Sequence, residues 1–331
     1  MPPLVTSVYH GSLQHVRIEA TLPLIMQKFI EPKGQVKVIG HLAVLFSVVV
    51  WATTYISTKK LLFGFSPLQI LMVRTFLAFI ILSFLNPKKM IYKEKKDRFL
   101  IAGAGICGLY VYFFMENTAL TYSSVSNVGV IVSIAPFLTL LASRFALKEE
   151  KLHLQYYIGF ALAIFGICLM SYSGKTDLKL NPFGDFLAFV AIGVWAVYSV
   201  LTRMIANKGY ATLLVTRTMF FYAFLAMVCQ QILFPCKWEL GRLLGKEYLF
   251  HFLFLGVVAS ALCFVTWNFG LKTIGTIQSS AYLYLSPVIT IVFAMLFLEE
   301  KITLVSAIGA GLTFFGLLVS QRRIPNPKKI R

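Results

Sequence analysis

Ten stretches of mainly apolar residues divide this chain, at about 38–57, 66–85, 98–117, 124–145, 153–172, 183–202, 211–233, 249–269, 275–297 and 303–320. Each is about as long as the roughly 20 residues an α-helix needs to cross a hydrocarbon core of about 30 Å. In lipid the backbone must satisfy its own N–H and C=O groups, which leaves helices and closed barrels as spanning structures. The runs lack the two-residue alternation of barrel strands, so a porin is excluded and an all-α polytopic membrane protein is expected. Of the 331 residues 58% are hydrophobic and 13% charged, more apolar surface than one soluble core consumes.

The formal net charge of +18 could indicate nucleic acid, but the cations fall in the short connections between runs rather than along one soluble face. With the N-terminus inside, 21 of the 31 Lys and Arg lie on the inner side and 8 in the outer loops, while Arg74 and Arg217 lie within runs. That bias places the chain in the cytoplasmic (inner) membrane, multi-pass, with both termini cytoplasmic, and makes the lipid bilayer rather than nucleic acid its partner. The five cysteines lie mostly within runs without a C-x-x-C, and the five histidines show no ligand spacing. No metal and no cofactor is therefore expected.

The chain also repeats itself. "GHLAVLFSVVVWATTYISTKK" from Gly40 matches "GDFLAFVAIGVWAVYSVLTRM" from Gly184, pairing Trp51 with Trp195. Arg74-Thr75 recurs as Arg217-Thr218. "ENTALTYSSVSNVGVIVSIAP" aligns with "WNFGLKTIGTIQSSAYLYLSP", pairing Asn117 with Asn268, Asn127 with Gln278 and Pro136 with Pro287. "KEEKLHLQYYIGFALAIFG" aligns with "LEEKITLVSAIGAGLTFFG". Four matches in one order at a nearly constant offset amount to a duplication. Each unit holds five spans, and an odd number makes the second copy enter the membrane from the opposite side. Two inverted five-helix repeats, 38–173 and 183–321, follow, flanked by a tail at 1–37 and a basic tail at 322–331. Inverted repeats are the architecture of secondary transporters, because one element can close either face around a site between the halves.

These residues resemble the ten-helix EamA-type permeases of the drug/metabolite transporter superfamily. The likeness covers about residues 38–321 and rests on "ENTALTYSSVSNVGVIVSIAP", on "FALKEEK" and "LFLEEK", and on the paired glycines Gly159/Gly166 and Gly309/Gly316. It implies a basket of two inverted bundles and alternating access. In many members it also implies export of amino acids or other small metabolites, through a cavity lined by spans three, four, eight and nine with help from one and six.

Candidate site residues follow from polarity at depth. Glu116 ends span three, and it either snorkels to the outer interface or binds a substrate ammonium or a coupling proton. Arg74 and Arg217, at mirror positions in spans two and seven, either gate the two sides or hold lipid phosphate. Asn127 and Gln278 offer donor and acceptor without charge and are expected to line the cavity. For Asn117 and Asn268, bonds between helices are expected. Trp51, Tyr55, Trp195 and Tyr198 sit near mid-depth rather than in an interfacial belt, so they, with Tyr282, read as cavity walls or core packing. Pro136 and Pro287 would interrupt spans four and nine as hinges or kinks. The glycine pairs serve internal packing or, secondarily, a homodimer face. "GAGICG" at Gly103–Gly108 has neither a strand before it nor an acid about 20 residues on, so it is not a dinucleotide site.

No Walker sequence is present, so uphill movement would draw on an ion gradient, protons being the candidate. The expectation is a secondary transporter, not an enzyme, moving a small organic solute outward, an amino acid or similar amphipathic molecule. A sugar-phosphate or nucleotide-sugar permease is the alternative within transport, with Arg74 and Arg217 on the phosphate. A membrane-embedded enzyme would need a cluster of catalytic side chains, and Glu116 stands nearly alone at depth. Met26 opens a short basic lead, "MQKFIEPKGQVKV", into the first span, which makes it an alternative start to Met1. Edman sequencing of native protein checks this: a Met26 start gives MQKF, and an N-terminus at residue 1 overturns it.

Overall fold

The computed structural model describes residues 33–147, 154–172, 182–274, 282–300 and 302–321. Within them the fold is built from helices: α1 (Lys33–Leu61), α2 (Pro67–Leu85), α3 (Lys95–Tyr122), α4 (Val125–Ser133, then Ala135–Leu147) and α5 (Leu154–Tyr172). The second half holds α6 (Pro182–Ala206), α7 (Thr212–Leu233), α8 (Lys246–Leu253, Phe254–Leu262 and Cys263–Ile274 in succession), α9 (Ser286–Leu298) and α10 (Leu304–Gln321). Seven of these are long and apolar enough to cross a membrane, and α5, α9 and α10 supply shorter apolar stretches. The face at which α1 starts is called near, the opposite one far.

Local chemistry sets the boundaries. Ser66 caps α2 with its hydroxyl on Gln69 N (3.4 Å) while the Gln69 side chain returns to Ser66 N (2.8 Å), and Pro67 fills the first helical position. This capping box satisfies donors that have no intrahelical partner. At the α3–α4 turn Ser124 Oγ accepts from Asn127 N at 3.1 Å. Gly209, at φ +70°, makes the α6–α7 turn in a conformation that suits glycine.

The inverted repeat is visible in the packing. Gly184 of α6 abuts Tyr122 and Ser123 of α3 at the far face, and its counterpart Gly40 of α1 abuts Thr273 and Ile274 of α8 at the near face. The glycine pairs do the same for α5 and α10: a Cβ on Gly166 would collide with Gly309 O and Thr313, and one on Gly316 with Gly159 O and Ala163. Thr313 adds a bond to Ala163 O at 3.3 Å. Small residues here let two backbones touch where lipid offers no hydrophobic drive for association.

Two features depart from uninterrupted α-helices. Residues Ile106–Val111 of α3 and Phe254–Leu262 of α8 wind as π-helix, at corresponding places in the two repeats. The wider turn holds an extra residue and frees part of the i−4 bonding pattern. Trp51 exploits this, donating its indole Nε1 to Ala259 O at 2.9 Å. Pro136 and Pro287 each stand just beyond an interruption of the α-helix. Helix α4 breaks at Ile134 (φ −84°, ψ 0°), and Pro136 stands second in the segment that follows. Pro287 lies in the first turn of α9, after a 3-10 turn at Leu283–Leu285, where its missing N–H leaves no bond unmade.

Substituting Gly166→Leu must push α5 and α10 apart. Overpacking of this kind costs about 1–3 kcal/mol, so the purified protein should unfold at a lower temperature than wild type in a detergent melting assay, whereas Gly193→Ala, with open space around it, should not.

Candidate functional site

Helices α1, α3 and α6 bring together an acid, two phenols and two further aromatic rings. Tyr112 and Glu116 are one turn apart on α3, the spacing at which side chains on a helix meet. Tyr112 Oη donates to Glu116 Oε1 at 2.5 Å, and Tyr55 of α1 donates to the same oxygen at 3.3 Å. Trp195 of α6 lies against the Tyr112 ring (centroids 4.9 Å) and against Tyr198 (4.8 Å). Glycine makes room for this: the Tyr198 ring covers Gly108 in the π stretch of α3, where a Cβ would not fit.

Glu116 is only 6% exposed, so it does not snorkel. A carboxylate at this depth has to be hydrogen-bonded to be tolerated, and both of its assigned donors are phenols. Arg74 is likewise buried, at 5% exposure. Its Nε donates to Ser260 Oγ of α8 at 2.7 Å, and its guanidinium stacks 4.2 Å over the Phe113 ring. Arg74 and Glu116 therefore join one buried cluster through adjacent residues of α3, not as a direct ion pair. Ser260 belongs to the π stretch of α8, so both π stretches border the cluster.

The remaining candidates are dispersed. Trp51, one turn before Tyr55, packs on Trp267 (5.2 Å) and Phe264 (6.0 Å) of α8. Arg217 lies at the near face, donating to Asn86 O (2.5 Å) and Lys88 O (2.7 Å), so it closes the carboxyl end of α2. Tyr282 lies at the near face too, where its hydroxyl meets His41 Nδ1 at 3.0 Å. Asn127 lines a cavity of about 410 Å³ at the far face with Ser124, Ser126, Ile291, Met295 and Glu300. Gln278 falls outside the described residues, as does the Asn268 side chain. Asn117 is buried, and its Nδ2 has no hydrogen-bond partner, contrary to the expected bond between helices.

Across the near face the α2–α3 connection is tied to the α6–α7 turn. Lys208 pairs with Asp97 at 2.5 Å and with Glu94 at 3.5 Å, and Tyr210 Oη donates to Asp97 at 2.5 Å while accepting from Lys93 N at 2.7 Å. The hydrogen bond to Asp97 raises the pKa of the Lys208 ammonium.

A profile of the EamA-like transporter family matches residues 38–172 and again 182–321. The chain belongs to that family. It is a multi-pass membrane transporter, and this EamA protein has relatives in archaea and bacteria. An uncharacterized transporter of Archaeoglobus fulgidus is 24% identical over 290 residues, covering 85% of this chain and 96% of the relative. A protein of Streptantibioticus cattleyicolor named "Probable terminal-alkyne amino-acid exporter" is 23% identical over 291 residues, 85% of this chain and 93% of its own. The aromatic amino acid exporter YddG of Ancylobacter novellus is 28% identical over 190 residues, 56% of this chain and 63% of its own. A protein crystal structure covers 88% of this chain and 100% of its own with a TM-score of 0.56 at 21% identity, which speaks for the fold.

The fork geometry of Arg74 predicts a specific failure. Arg74→Lys keeps the charge but cannot keep both the Ser260 bond and the flat stacking on Phe113. Leaving a buried partner unsatisfied costs about 1–3 kcal/mol, so this variant should melt several degrees lower than wild type; an unchanged melting temperature would contradict the assignment.

Proposed function

We propose that this EamA transporter moves an amino acid or similar amphipathic solute outward across the cytoplasmic membrane by alternating access, and that Glu116 couples the movement to protons. The observation that carries the reading is the buried Glu116 carboxylate held by Tyr112 and Tyr55 beside Trp195. An acid in a low-dielectric site exchanges a proton or accepts an ammonium group, and the aromatic neighbours suit an apolar side chain. Two relatives bear amino-acid exporter names, which supports the solute class. The excess of Lys and Arg in the connections assigned to the inner side supports cytoplasmic termini.

The sugar-phosphate alternative draws less support. It needs cations free to clasp a phosphate, whereas Arg74 is held by Ser260 and Phe113 and Arg217 by two backbone carbonyls at the near face. Nothing in this arrangement calls for enzymatic chemistry: the described acid stands with phenols, not with a nucleophile.

Counterflow in proteoliposomes tests the proposal, using labelled aromatic and aliphatic amino acids, nucleosides and hexose phosphates with and without a pH gradient. Wild-type protein should exchange an amino acid faster when a pH gradient is imposed, and Glu116→Gln should exchange it at a rate indifferent to the gradient. Equal gradient response in the two proteins removes Glu116 from coupling, and exchange confined to hexose phosphates overturns the solute class.

A further inference from the structure

At the far face, charged side chains from both repeats converge on one tight turn. The turn joins α3 to α4 through Ser123 and Ser124. Lys59, from the end of α1, donates its ammonium to Leu120 O and to Ser123 O, the second at 3.0 Å. Asp185, in the first turn of α6, accepts from Ser123 Oγ. Glu300, in the α9–α10 connection, accepts from Val125 N (2.8 Å), Ser126 N (3.1 Å) and Ser126 Oγ (2.6 Å).

The signs are matched to the backbone. A cation sits on the carboxyl end of α3 and an anion on the amino end of α4, where each meets the unpaired groups and the partial charge of the opposite sign. Hydrogen bonds to charged groups are stronger than neutral ones. Glu300 reaches its place because α9 ends with Glu299 at φ 55°, ψ 27°, the one non-glycine residue with positive φ among those described. A left-handed residue other than glycine is held there by its surroundings.

Beneath the turn lie Leu120, Val125 and Val128, buried with Tyr55 and Ala188, and one turn of α3 further in is Glu116. Above it the cavity at Asn127 shares Ser124 and Glu300 as walls. The turn thus lies between the cavity at Asn127 and the buried acid.

We infer that Lys59, Asp185 and Glu300 are the positioning residues that hold the far side of the transport path shut, and that releasing this clasp opens the route from the far face to Glu116. Lys59 and the turn it braces belong to the first half, whereas Asp185 and Glu300 reach the turn from the second. Relative motion of the two halves therefore loads the Asp185 and Glu300 limbs directly, and Lys59 keeps the turn they grip in shape. At the near face the position matching Asp185 is His41, which bonds Tyr282.

The test reads no flux, so it stands apart from the solute and coupling proposed above. The full chain in lipid nanodiscs carries a buried reporter under the clasp, Leu120→Cys, or one near the opposite face, Ile205→Cys, and labelling by a membrane-impermeant maleimide is followed by site-resolved mass spectrometry. Glu300→Gln and Lys59→Met should each accelerate labelling at position 120 by roughly tenfold, the scale of one lost charge-assisted bond, and leave position 205 unchanged. Asp185→Asn removes a separate limb while sparing the α4 cap, and it should shift the same reporter in the same direction, which keeps the test available if the Glu300 variant does not fold. Unchanged labelling at position 120, or equal acceleration at both reporters, overturns the inference.

Discussion

Inside a hydrocarbon slab a polar group can be satisfied only by the protein itself. That constraint organises most of what is specific about this molecule. The backbone meets it with helices. The side chains meet it by pairing inward: Glu116 with two phenols, Arg74 with a hydroxyl and an aromatic face, and Trp51 with a carbonyl of a π-helical turn. Where helices end at the far face, Lys59 and Glu300 fulfil the same requirement for the terminal carbonyls and amides of α3 and α4. Function and tolerance are then hard to separate, because the groups that make a buried charge bearable also fix its position.

The duplication gives this chemistry a frame. Contacts such as Gly40 on Ile274 and Gly184 on Ser123 recur with the membrane faces exchanged. Two of the polar groups do not recur: Glu116 aligns with Trp267, and Asp185 with His41. Backbone packing thus keeps the pseudo-symmetry, while these side chains distinguish one face from the other. Such asymmetry on a symmetric scaffold suits the alternating access proposed above, where the two closed states need not be equally stable.

The scaffold is largely legible in the sequence, because hydrophobic run length and internal repetition are long-range signals that many residues share. The helix limits at α2, α5, α7 and α10 agree with the apolar runs to within a residue or two. The role of the paired glycines in α5–α10 packing was readable for the same reason. The site was legible only in its centre. Glu116 stood out because a lone acid in an apolar run is costly, but Tyr112 looked like one more aromatic until the helix placed it four residues before the acid. Ser260 carried no signal at all, since a serine in an apolar run has many uses. Lys59 and Glu300 looked like ordinary loop charges, because what distinguishes them is the backbone they touch in another part of the chain.

The π-helical stretch of α3 has a consequence for how such a helix is read and how it can change. An extra residue in one turn advances the side chains beyond it by about 100° relative to a plain α-helix. Asp97, fastened at the near face, and Glu116, buried toward the far face, therefore sit on surfaces whose relative angle the α-helical period does not predict. A helical wheel drawn through the whole of α3 would assign one of them to the wrong neighbour. The same offset matters in mechanics, because a turn that rewinds between π and α would rotate Glu116 while Asp97 stays fixed.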